Sequence, residues 1–80
     1  MLNCRLENEK DVKKLVRLCE EFKEDIDVVY GRYTIDAKSF LGVISLAGHT
    51  VSVHISTDDE SVKKEFEEKF NRVITQGGEL

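Results

Sequence analysis

The spacing of apolar residues along the chain switches between a period of two and a period near 3.6. Leu2, Cys4 and Leu6 alternate with polar positions, which predicts a short half-buried strand. Asn8 is a suitable N-cap for the next element, and Glu9 and Asp11 suit its positive first turn. Val12, Leu15, Val16, Cys19 and Phe22 then form one helical stripe, with Lys10, Lys13, Lys14 and Arg17 on the opposite face. From Ile26 the period returns to two. Ile26, Val28 and Tyr30 make one strand, Tyr33 to Ala37 its partner, and Gly31-Arg32 a tight turn in which glycine supplies the positive φ. Ser39 to Leu46 is almost wholly apolar, so period alone does not assign it. Ser39 as N-cap and Ala47-Gly48 as a stop favour a short helix. Thr50 to Ser56 alternates again, with Val51, Val53 and Ile55 on one face. Thr57 and Glu60 have the spacing of a capping box with Thr57 at the cap, and the helix after it is expected to bury Val62, Phe66, Phe70, Val73 and Ile74.

The predicted order is β-α-β-β-α-β-α. Half-apolar strands and amphipathic helices in that order bury their stripes as an α+β two-layer sandwich, one four-stranded antiparallel sheet with three helices on one face. Residues 1–75 read as a single domain and 76–80 as a flexible polar tail.

Composition narrows the function. Of the 80 residues 35% are charged and the formal net charge is -4, a balance that disfavours nucleic-acid binding through clustered cations. No apolar stretch approaches the roughly twenty residues of a membrane span. The opening MLNCRLENEK lacks the apolar core of a secretory signal, so the expected location is the cytoplasm. Cys4 and Cys19 continue apolar patterns and read as small buried hydrophobes. No metal-ligand spacing and no cofactor motif can be assembled. A nucleophile–base pair, a carboxylate dyad and a Gly-rich phosphate loop are likewise missing, which argues against an enzyme.

The run DIDVVYGRYTIDAKSFLGVISLAG, centred on Asp36-Ala37-Lys38-Ser39-Phe40-Leu41-Gly42-Val43-Ile44-Ser45-Leu46, resembles HPr, the phosphocarrier of the bacterial sugar phosphotransferase system. Family members read there as small residues, Lys-Ser, three apolar or glycine positions, then Ser-Leu. The resemblance extends through the first helix and resumes at Thr57-Asp58-Asp59-Glu60. It implies the open-faced HPr-like sandwich and protein partners: a phosphotransferase-system component, a kinase or a regulator. The active-centre loop departs from the family, which has roughly Gly-Leu-His-X-Arg-Pro at the start of the first helix. On a gapless alignment Asn8 takes the histidine position, Lys10 the arginine and Asp11 the proline. An amide has no nucleophilic nitrogen, and Glu7, Glu9 and Asp11 repel a phosphoryl donor, so phosphocarrier activity is not expected. His54 falls on the sheet face away from the helices and His49 in the turn before that strand; both read as surface residues.

Three features remain as candidate sites. Ser39 matches a serine that some family members have phosphorylated by a regulatory kinase; capping alone also explains it. Phe40, Leu41 and Ile44 exceed what a short helix needs for its core if Val43 and Leu46 suffice. They are either an exposed partner-binding patch, as the family resemblance implies, or a deeply buried helix. Lys10, Lys13, Lys14 and Arg17 are a solvated face, with Glu21 placed to pair with Arg17, or a contact for an acidic partner beside the Ser39 helix. The resulting expectation is a regulatory or adaptor module, with recruitment to a partner outside the phosphotransferase system as the alternative.

Overall fold

The computed structural model describes residues 1–75; the predicted tail at 76–80 lies outside the described residues. The elements follow the predicted order: β1 (Leu2–Leu6), α1 (Glu9–Glu20), β2 (Ile26–Tyr30), β3 (Tyr33–Asp36), α2 (Phe40–Ile44), β4 (His49–Ile55) and α3 (Glu60–Phe70), which continues as a π-helical turn over Asn71–Thr75. The four strands form one antiparallel sheet in the order β1-β4-β2-β3. Its register puts Cys4 opposite Val51, Val28 opposite Val53 and Ile26 opposite Ile55. All six are buried, so one face of the sheet meets the helices. The other face carries polar groups such as Asn3 and Ser52, whose hydroxyl donates to Asn3 Oδ1 at 2.7 Å. One α+β open-faced sandwich results.

The helices supply the rest of the core with Val12, Leu15, Val16, Cys19, Phe22, Val43, Leu46, Phe66 and Phe70. Leu18, outside the predicted stripe, is also buried. Gly31 takes φ +58° in the β2–β3 turn and Gly48 φ +93° before β4, both in the left-handed region that favours glycine.

Several local expectations are corrected. The cap of α3 is Asp59, not Thr57: Asp59 Oδ1 accepts from the Ser61 N–H at 2.9 Å, while the Thr57 hydroxyl accepts the Asp59 N–H at 3.1 Å. Val73 is 37% exposed rather than buried, because the π-helical turn rotates the stripe away from the core. Val62 and Ile74 are only half-buried against the core. His49 is the first residue of β4, not a turn residue, and pairs in register with Leu6. Glu21 bonds Lys69 of α3 at 3.2 Å instead of Arg17.

Candidate functional site

Two places hold the predicted site residues: the start of α1, and α2 with the exposed side of α1. At the first, Asn8 sits in extended backbone and its Oδ1 accepts the Asp11 N–H at 3.2 Å. Asp11 Oδ2 in turn accepts the Glu7 N–H at 2.8 Å. The turn is thus closed from both sides by its own side chains, a reciprocal arrangement like a capping box. With Glu7 and Glu9 it presents three carboxylates where backbone N–H groups would otherwise be open to an anion. Lys10 is exposed beside them, and Lys13 is paired with Glu9 at 3.3 Å.

At the second place, Ser39 caps α2: its Oγ accepts the Gly42 N–H at 3.2 Å. Gly42 lies against β3 so closely that a Cβ there would come within 2.7 Å of Ile35 Cγ2. On this short helix Val43, and Leu46 just past it, are buried in the core, and Leu41 points outward. Leu41 is 81% exposed, whereas Phe40 and Ile44 are half-buried and pack against the core. Neither expectation for this segment holds whole: Leu41 alone is fully displayed, with Phe40 and Ile44 as partly covered shoulders. Helix α1 packs directly on α2, and its Lys10, Lys13, Lys14 and Arg17 are all exposed.

Sequence reasoning missed Lys38. Its ammonium donates to the Phe22 carbonyl past the end of α1. Lys69 reaches the same end from α3, with its Nζ 5.6 Å from the Phe22 ring centre and bonded to Glu21. The isolated glycine in the apolar run was a readable sign of close packing at position 42, but no spacing shows where a lysine side chain ends.

Burial pushes the Cys4 thiol up to about 11 and the Cys19 thiol to about 12, so both are inert at neutral pH. His54 is exposed on the open sheet face opposite Asp27. The His49 ring lies 4.6 Å from that of Tyr30, and its pairing with Leu6 puts it at the end of the sheet where α1 begins. Among the described residues no group of three or more His, Cys, Asp or Glu can hold a metal ion, and no helix is long and apolar enough to cross a membrane. An open cleft of about 270 Å³ between β1 and α3, lined by Leu2, His54, Lys63 and Phe66 among others, includes none of the predicted site residues.

Comparison with known families places this geometry. The profile of the PTS HPr component phosphorylation site matches residues 10–72, most of the chain. The chain belongs to the HPr family. Its fold is similar to that of HPr-C-His from Thermoanaerobacter tengcongensis, a crystal structure with TM-score 0.63 and 21% identity over 86% of each chain, a likeness of fold. A comparison with curated proteins finds no match. The HPr profile begins at Lys10, so Glu7, Asn8 and Glu9 lie outside the matched region, whereas Lys10 and Asp11 lie within it.

Proposed function

We propose that this HPr-family chain is a regulatory or adaptor module that binds protein partners and does not carry phosphate on histidine, acting in the cytoplasm. The start of α1 carries this reading. On the gapless alignment with the family Asn8 takes the position of the phosphocarrier histidine; it is already committed as a cap, and Asp11 closes over it. An amide cannot take a phosphoryl group as an imidazole does, and three adjacent carboxylates disfavour an approaching phosphate.

Leu41, with Phe40 and Ile44, is the apolar centre of the partner surface, and Lys10, Lys13, Lys14 and Arg17 of α1 are its basic border. The fitting partner is a phosphotransferase-system protein, a kinase or a regulator presenting apolar groups ringed by carboxylates. Ser39 is the candidate for control. Phosphorylation there would place close to two negative charges beside Phe40 and replace the present cap.

Incubation with phosphoenolpyruvate and the general phosphotransferase enzyme tests the first half. No acid-labile phosphate is expected on the wild type or on Asn8→His, whose new imidazole would still face Glu7, Glu9 and Asp11. A mass gain that survives Asn8→Ala but disappears in His49→Ala or His54→Ala would overturn the reading. For the surface, Leu41→Ser should leave the melting temperature unchanged while weakening binding to that enzyme, or to the regulatory kinase, by tenfold or more, equivalent to about 1.4 kcal/mol.

A further inference from the structure

Helix α2 has five residues, and a helix that short does not hold itself together in water. Its place is set by anchors. Burial of Val43 and Leu46, the packing of Phe40 and Ile44 on the core and the close seat of Gly42 on Ile35 fix its depth and its place over β3, but none of these is a directed bond to α1. The chain reaches α2 through Ala37-Lys38-Ser39, and the backbone of that connection is tied to the sheet. The Ala37 N–H donates to the Ile26 carbonyl at 2.8 Å, the Lys38 N–H to Asp36 Oδ1 at 2.9 Å and the Ser39 N–H to the Asp36 carbonyl at 3.0 Å.

The Lys38 side chain does something different. It leaves the sheet and its ammonium meets the Phe22 carbonyl. That carbonyl lies just past the C-cap Glu21, where the chain leaves α1. The bond is partly buried and charge-assisted, which makes it stronger than an ordinary surface contact.

We infer that Lys38 is the positioning residue that sets α2 against α1, and so holds Leu41 and its neighbours in fixed relation to the α1 cations. The inference rests on reading those two helices as the partner surface. A partner that touches both elements loses less freedom on binding when their relative placement is already fixed. The lysine of the Lys-Ser run then organises the surface from behind without touching what binds there.

The test compares wild type, Lys38→Met and Lys38→Arg as full-length protein. Hydrogen exchange is followed at Val43 and Leu46, whose N–H groups donate to the Ser39 and Val43 carbonyls, and at Val28 and Val53 in the sheet. Lys38→Met is expected to speed exchange at Val43 and Leu46 by about tenfold while leaving Val28 and Val53 unchanged. Lys38→Arg should restore protection, because a guanidinium also donates to a carbonyl. The same pair should lose and regain affinity for the general phosphotransferase enzyme.

Unchanged exchange in α2, equal acceleration at all four amides, or no rescue by arginine would overturn the inference. Should Lys38→Met fail to fold, Lys38→Leu, which is shorter and has no donor, takes its place with the same expectation. Failure of the surface reading looks different: Leu41→Ser would then leave affinity intact while the exchange contrast between Lys38→Met and Lys38→Arg remained.

Discussion

At its N-terminal end α1 is closed by residues adjacent in sequence, Asn8 and Asp11 acting on a turn of the same chain segment. Its C-terminal end is held by residues from elsewhere in the fold: Lys38 on the Phe22 carbonyl, Lys69 on Glu21 and over the Phe22 ring, and Phe66 edge-on to that ring at 5.2 Å. A local closure satisfies backbone donors but ties the turn to little else. A tertiary closure couples three elements. In this HPr-family chain the N-terminal end of α1 is therefore closed locally, and its C-terminal end is joined to α3 and to the connection that precedes α2.

Substitutions at the two ends should differ accordingly. Phe22→Ala removes a buried ring from the junction and should cost ~3–5 kcal/mol in urea unfolding, a large part of the ~5–10 kcal/mol such a domain holds. Asn8→Ala removes one cap and should cost about 1 kcal/mol. Equal losses would erase the contrast.

The two thiols sharpen the contrast at the level of local opening. With values near 11 and 12, Cys4 and Cys19 stay protonated and shielded at pH 8, so alkylation by iodoacetamide waits for the structure to open. Cys4 on edge strand β1 should label severalfold faster than Cys19 on α1. Identical rates, both equal to global unfolding, would show that the α1 start is as firmly tied as its end.

The smallest effect concerns pH. Hydrogen bonding to Glu21 raises the Lys69 ammonium above its ordinary 10.5. A raised cation contributes stability that is fully present below 10.5 and is lost as pH climbs through the folded value. Unfolding measured from pH 9 to 12 should show a slight alkaline slope that Lys69→Gln flattens, whereas Asn8→Ala should leave the slope alone.

The same division between local and tertiary causes explains what could be read from sequence. Strands β1 and β2, helix α1 and the Asn8 and Ser39 caps follow from period and from neighbours within four residues, and they stand as expected; β4 is found one residue earlier than its period suggests. The start of α3 misled because Thr57, Asp59 and Glu60 offer competing local solutions; Asp59 wins by accepting both the amide and the hydroxyl of Ser61. Val73 misled because a π-helical turn breaks the period that its assignment assumed. Lys38, Lys69 and the true partner of Glu21 were hidden because each contact spans 16 or 48 residues. At the candidate surface, composition marked Phe40, Leu41 and Ile44 as a group, but in an almost wholly apolar run period alone could not show that Leu41 is the one facing solvent.

The strand order has a consequence for how the molecule comes into being. Among the described residues β1 precedes the other three strands, yet its neighbour in the sheet is β4, the last of the four. During synthesis Leu2–Leu6 leave the ribosome and wait, unpaired, while the β2–β3 hairpin forms from contacts close in sequence. Only when His49–Ile55 follow can the first strand join the sheet, closing a loop of more than forty residues from Leu6 to His49. A nascent chain halted before β4 would thus carry an apolar edge with no partner, the state most open to a chaperone or to another copy of itself.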